Sequence, residues 1–368
     1  MDMYALRTLR RHPLRLALTI GGVALCIILM FFLLAVYRGA ADGSVDYIRR
    51  NPADLWILQQ NATNILRGSS LVSEVESRAV AETPGVAEVS TVLFLLSAVR
   101  KGDKLGTVFL AGYDPAKSMG GPPEIETGRN VEADGEIVLD RAFARKFGFR
   151  DGDEVRLQDR RFKVVGTCTG TNAFVIQYAF VTLKSARELI GIPGLATCIL
   201  VRIVPGAETA AVQRAIRGRL PRVEAYDHAT FLANNVREMR SGFLPLLYTV
   251  AAIGGIVLTA ILSLLLSVNI LERQKDFAIL KTLGSPLRFL WGMVVKQALL
   301  IASLSGLVAL GLFFPLVRTI ERISPEVGTK TTPGQVLAVL AAVEIMSLAS
   351  SLVSIRRLRR IYYLEAFA

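Results

Sequence analysis

LALTIGGVALCIILMFFLLAVY, residues 16–37, decides the fold: 22 consecutive residues without a charge. As an α-helix this run is about 33 Å long, enough to cross a hydrocarbon core of ~30 Å. Arg7, Arg10, Arg11 and Arg15 before it, and Gly39-Ala40-Ala41 after it, loosely fit a cleaved leader. A leader's apolar core is only roughly 7–15 residues, so the run reads as a retained anchor. Three further blocks follow. Residues 243–271 hold no charge, 291–317 are interrupted by Lys296 alone, and 334–355 carry only Glu344. The 368-residue chain is 52% apolar with a mean hydropathy of +0.44, above the ~45–50% of soluble domains. The expected fold is an α-helical membrane protein with four transmembrane helices. A large α+β extracytoplasmic domain, residues 38–242, is inserted between the first helix and the second.

Charge sets the orientation. Residues 1–15 carry four Arg against Asp2, and 272–296 carry five Lys or Arg against Glu272 and Asp276. Residues 356–368 carry four Arg against Glu365. Basic residues at span ends face the cytoplasm, so both termini and the 272–296 loop are expected inside and the insert outside. The net charge of +12 collects at membrane boundaries, whereas 38–242 is nearly balanced, with 27 basic and 24 acidic residues. That pattern fits anchoring to anionic lipid, with the bilayer and not nucleic acid as the partner.

Within the insert, strands are expected at 54–58, 86–101 (one or two), 105–112, 135–139, 154–158, 161–167, 175–183 and 197–204. Helices are expected at 73–82, 140–147, 184–190 and 207–220, and from Thr230 the chain runs helically into the second span. Strands interleaved with short helices indicate an α+β or α/β module. The sequence contains no G-x-x-x-x-G-K-[ST], no G-x-S-x-G and no H-E-x-x-H, so neither a catalytic site nor a metal site is expected. His12 and His228 have no matched ligand set. Cys168 and Cys198 form a bridge if the outer compartment oxidises them, or sit as buried strand cysteines. Asn61-Ala62-Thr63 is a formal glycosylation acceptor and carries no weight.

Inside the bilayer, Glu344 is expected to face protein or water. It is either a packing contact to Ser347, one turn away, or a contact for a substrate headgroup or a coupling residue. Ala251-x-x-x-Gly255 and Ala302-x-x-x-Gly306 are small-residue pairs that allow close helix approach, and either suits a dimer seam.

The cytoplasmic loop reads Glu272-Arg-Gln-Lys-Asp-Phe-Ala-Ile-Leu-Lys-Thr-Leu-Gly284, then Ser285-Pro286. Phe277, Leu280 and Gly284, with Ile279 and Leu283 beside them, make an apolar helical face. Arg273, Lys275, Asp276 and Lys281 fill the rest. Gly284 suits a left-handed helix end, and Ser285-Pro286 suits the start of the next helix. By periodicity this is either a helix lying on lipid or a knob for a cytoplasmic protein.

This loop resembles the signature of the FtsX-like permease family, the membrane subunits of MacB-type and lipoprotein-releasing ABC transporters. Glu272, Arg273, Leu280, Leu283 and Gly284 match the family pattern, with Asp276 where Glu is usual. Ala5-Leu-Arg-Thr-Leu-Arg-Arg11 and Thr19-Ile-Gly-Gly22 resemble its N-terminal elbow helix and first span. Gly152-Asp153-Glu-Val with Phe162-Lys-Val-Val-Gly166 resembles its exported core. Leu364-Glu-Ala-Phe367 resembles its C-terminal ending, although Tyr362-Tyr363 replace the usual Asp-Pro.

The resemblance implies a division into elbow helix 1–15, spans 16–37, 243–271, 291–317 and 334–355, core domain 38–242, coupling helix and turn 272–290, outer loop 318–333 and cytoplasmic tail 356–368. It implies a bacterial inner-membrane permease that is not itself an enzyme and binds no cofactor. ATP and Mg would be held by a separate cytoplasmic ATPase dimer gripping Glu272, Arg273, Asp276, Phe277, Leu280, Lys281, Leu283 and Gly284. A second or sister permease, and in some members a periplasmic adaptor, complete the assembly. The expected work is export or extraction of a lipid-like, lipoprotein or hydrophobic substrate. One alternative is a non-transporting regulator that activates a cell-wall hydrolase, and another is a membrane-anchored sensor or enzyme without an ATPase.

Overall fold

The structure is a computed structural model and describes residues 13–65, 70–173, 176–242, 244–272 and 286–358. Contacts divide the chain into a helical unit, Met1–Arg38, Pro245–Thr319 and Thr329–Ala368, and an α+β unit, Gly39–Leu244 with Ile320–Gly328.

Helix α1 (Pro13–Arg50) does not end at Tyr37 as its apolar run suggests, and from Gly39 onward it belongs to the α+β unit. It is 38 residues and about 57 Å long. The extension keeps apolar Val45, Tyr47 and Ile48 buried. Arg49 and Arg50 lie in the last turn, where cations complement the helix dipole, and Pro52 follows. Helices α7 (Leu244–Glu272), α8 (Leu287–Ile323) and α9 (Pro333–Leu358) complete the helical unit. Among the described residues three stretches are long and apolar enough to cross a membrane: Ala17–Arg50, Trp291–Ile323 and Pro333–Leu352. A shorter apolar stretch, Tyr248–Ile261, lies within α7. Val23, Ile27 and Phe31 of α1 pack with Leu258, Ile301, Phe313, Val339 and Val343 in one core.

The α+β unit contains strands β1 (Leu55–Gln59), β2 (Val72–Ser73), β3 (Val86–Lys101), β4 (Lys104–Tyr113), β5 (Glu124–Gly128), β6 (Glu136–Asp140), β7 (Glu154–Leu157), β8 (Arg160–Thr169), β9 (Asn172–Ala173), β10 (Ile176–Thr182), β11 (Leu195–Ala196), β12 (Cys198–Ile203) and β13 (Val223–Asp227). Its helices are α2 (Glu74–Ala81), α3 (Arg141–Phe147), α4 (Leu183–Ile190), α5 (Thr209–Arg219) and α6 (His228–Gly242). Short caps set the helix starts. Ser73 and Glu76 form a reciprocal capping box on α2, Asp140 caps α3, and Thr182 caps α4.

Residues 86–101 form a single strand, β3, shared by two lobes. Its first half, to Val92, pairs with β12, and from Leu93 onward it pairs with β4. In the first lobe β13, β1, β12 and β3 are antiparallel. Alternation along β1 sends Leu55 and Ile57 to a core with Val80 of α2 and Val212 and Ile216 of α5. Trp56 and Leu58 face the opposite core, with Tyr47 of α1 and Phe231 of α6. In the second lobe the pairings β3–β4–β10–β6–β8–β7–β3 close a circuit of six strands. Phe143 and Ala144 of α3 and Ala186 of α4 join its core.

Candidate functional site

The loop between α7 and α8 is flanked as its sequence suggests. Helix α7 runs unbroken to Glu272, and α8 begins at Leu287, directly after Pro286. Arg273, Asp276, Phe277, Leu280, Lys281, Leu283 and Gly284 lie outside the described residues, and Glu272 is described as the last helical residue of α7.

Glu344 lies within α9, and its partner is not Ser347. The Ser303 hydroxyl, on α8, donates to Glu344 Oε1 at 2.7 Å. A serine on a facing helix aims its hydroxyl across the gap, whereas Ser347 shares the helix of Glu344. Glu344 Oε2 and Ser347 Oγ are buried without a hydrogen-bond partner among the described residues. Ser350 Oγ donates to the Thr259 carbonyl of α7 at 2.9 Å, a cross-helix tie. Both small-residue glycines seat side chains of α9. A Cβ at Gly255 would lie 2.8 Å from Met346 Cε, and one at Gly306 2.9 Å from Leu340 Cδ2. At both glycines the close approach that the pairs permit is occupied by side chains of α9.

The α+β unit carries a cleft of about 820 Å³ between the start of α2, the end of β4 and α4. Its wall includes Glu74, Tyr113, Asp114, Asp134, Lys184 and Arg187. The charges are largely paired within the wall. Lys184 reaches Asp134 at 2.8 Å, and Arg187 reaches Glu74 at 3.7 Å. The hydrogen bond from Lys184, then that from the Thr182 hydroxyl, holds the Asp134 carboxyl below its ordinary range.

No group of three or more metal-ligating side chains occurs among the described residues. His228 Nδ1 lies 3.0 Å from the Ala53 carbonyl, a structural tie at the start of α6. Asp140 is buried, and burial pushes its carboxyl up. The Thr171 hydroxyl, donating at 2.6 Å, and the Ala142 amide oppose that shift. This is the helix cap of α3.

The Cys168–Cys198 bridge is absent: both are free, buried thiols, and burial pushes both thiols up. Cys168 is on β8 and Cys198 on β12, strands that do not pair. Strands are ~4.8 Å apart, and a disulfide needs Cα atoms within ~7 Å. By the shorter way round the circuit, β7 and β3 stand between β8 and β12.

Two packing features escape sequence reasoning. One is a hub at Tyr47, whose ring stacks on Tyr178 at 5.1 Å and meets Phe94 edge-on at 5.6 Å. Its hydroxyl donates to the Gly120 carbonyl at 2.8 Å. The other is the set of bonds around residues 325–332, where Asn172, Lys146 and Glu326 meet. Neither has a local signal, because each joins single residues far apart in the chain.

Helices long and apolar enough to cross a membrane flank a large α+β insert in the chain. The family model of the MacB-like periplasmic core domain matches residues 16–219, and that of the FtsX-like permease C-terminal matches residues 248–363. The chain belongs to the MacB/FtsX-like family of ABC transporter permeases. It is 24% identical over 372 residues to an uncharacterized ABC transporter permease of Mycobacterium tuberculosis, covering 99% of this chain and 98% of that one. A Mycobacterium bovis permease is 24% identical over 319 residues, covering 83% of this chain and 82% of that one. Among solved structures, the periplasmic region of MacB from Actinobacillus actinomycetemcomitans aligns with 51% of this chain and 94% of its own, at 13% identity and a TM-score of 0.41.

Proposed function

We propose that the chain is the permease subunit of an ABC exporter with four spans, α1, α7, α8 and α9, and with both termini and the 273–285 segment in the cytoplasm of a bacterial inner membrane. A separate ATPase dimer grips that segment through Phe277, Leu280, Leu283 and Gly284, with Glu272, Arg273, Asp276 and Lys281 around them. Nucleotide-driven closure of the ATPases moves the α7 and α8 ends, and the outer domain responds. A second or sister permease completes the complex, with an adaptor where the cargo leaves through a duct. The cargo is lipid-like, lipoprotein or otherwise hydrophobic. One observation carries the reading: the two family models match in sequence order, and the second covers residues 273–285, which lie in the chain between long helices α7 and α8. The lack of a phosphate-binding loop in the sequence supports an external energy source.

The test is copurification of an ATPase followed by ATP turnover with Phe277→Asp and Leu283→Asp. The reading expects the assembled complex to lose permease-stimulated turnover. Wild-type stimulation in both variants would remove it.

A further inference from the structure

Three arginines stand side by side across the closed sheet of the second lobe. Arg100 of β3 is opposite Arg156 of β7, and Arg156 is opposite Arg161 of β8. Residues directly opposite in antiparallel strands project from the same face, and strands are ~4.8 Å apart, so the three form one row ~10 Å wide. All three are exposed. Lys163, also exposed, is two positions along β8 from Arg161 and shares that face. Like charges directly opposite destabilise a sheet. Nor do these arginines guard an open edge, where charge discourages stray pairing, because β7 has a strand on either side.

Nearby acids neutralise the row only in part. Arg161 lies 3.6 Å from Glu154, and Arg156 lies 3.2 Å from Asp159, whose side chain is 98% exposed. Arg100 and Lys163 have no acid partner among the described residues. Exposed pairs contribute little, so both acids can be exchanged for those of another molecule at small cost. The same face also has an apolar side. Phe94 of β3 and Phe109 of β4 are covered by core, but the cover stops beyond them. Leu96 is 60% exposed and Leu105 63% exposed, and Leu105 lies directly opposite Arg100.

We propose that this face of β3, β4, β7 and β8 is a docking surface for an acidic segment of a partner protein. Charge complementarity selects the partner: guanidinium forks bind carboxylates through two parallel hydrogen bonds. Carboxylates ~5–6 Å apart, the spacing of i and i+4 on a helix, match the spacing of the row. Leu96 and Leu105 receive an apolar residue beside them. The surface lies wholly within the α+β unit and does not rest on the permease reading.

Fluorescence anisotropy with the full chain in phosphatidylcholine nanodiscs tests it. The probe is a labelled helical peptide with Glu at every fourth position and Leu beside each Glu. The wild-type chain should bind it saturably. Arg100→Gln with Arg161→Gln should weaken binding about tenfold or more, the effect of losing two charge contacts. Arg78→Gln with Arg214→Gln removes the same charge from exposed positions on α2 and α5, and should change binding by less than about twofold. Arg100→Glu with Arg161→Glu should instead bind the same peptide carrying Lys in place of Glu, which a misfolded sheet would not do. No saturable binding by the wild type, or equal losses in the two Gln pairs, overturns the proposal. Binding of phosphatidylglycerol vesicles that depends on Arg100 and Arg161, with no binding of the peptide, assigns the face to lipid and overturns it as well.

Discussion

Replacing Tyr47 measures how firmly the end of α1 is built into the α+β unit. The side chain is 1% exposed and touches the rings of Trp56, Phe94, Tyr178 and Phe180. Tyr47→Phe keeps the ring and removes only the bond to the Gly120 carbonyl, a loss of about 1 kcal/mol. Tyr47→Ala removes the ring as well. Truncating a buried aromatic costs about 3–5 kcal/mol, so the total is about 4–6 kcal/mol. At ~1.4 kcal/mol per tenfold, the Phe variant should speed hub exchange about fivefold and the Ala variant about a thousandfold, up to the global limit. The assay is hydrogen exchange of the full chain in nanodiscs, read at the amides of Trp56–Leu58 in β1 and Tyr178–Phe180 in β10. Amides of α9 serve as the reference. A Tyr47→Ala effect below tenfold at β1 and β10, or one as large at α9, would refute the hub.

Four shorter predictions accompany it. The Arg129 guanidinium, through its hydrogen bond, holds the Glu136 carboxyl down at about 2. Its stabilisation is therefore full above the ordinary carboxyl range near 4.5 and fades as pH falls towards 2. Arg129→Met should flatten that part of a melting-midpoint-against-pH curve, and an unaltered slope would count against the pair. Cys168 and Cys198 should resist maleimide in the folded chain and react fully after denaturation, and labelling of the native protein at rates typical of exposed thiols would contradict their burial. Ser303→Ala should destabilise the helical unit by about 1 kcal/mol in a detergent-denaturation series, because Glu344 then loses the Ser303 hydroxyl as donor; an unchanged midpoint would remove that tie. Gly306→Val should lower the same midpoint by about 1–3 kcal/mol through its clash with Leu340, and a neutral result would show that α9 does not sit there.

Much of the fold is legible because its signals are local. The long apolar runs announce α1, α7, α8 and α9. Asp140 and Gly148 bracket α3, with Gly148 at φ 70° in the left-handed region. Strands β5 and β13 were not legible. Of β5, Glu124, Glu126, Thr127 and Gly128 are exposed, so no alternation marks it as an edge strand. Strand β13, Val223-Glu-Ala-Tyr-Asp, is short and follows a turn, and pairing with β1 is what orders it. The extension of α1 past Tyr37 is hidden by small and polar residues, and only the buried Tyr47 and Ile48 explain it. Glu344 was legible as an intramembrane acid, but Ser303 was not, because a partner on another helix leaves no spacing to read. The Asn172–Glu326 bond, which joins residues 154 apart, is invisible for the same reason.

The central claim is that residues 273–285 seat a nucleotide-driven partner, and a photo-crosslinking amino acid placed at position 277 or 283 in native membranes tests it most directly. The account predicts an ultraviolet-dependent adduct with a nucleotide-binding subunit, its yield changing when ATP is trapped. Adducts with lipid alone at both positions would contradict it.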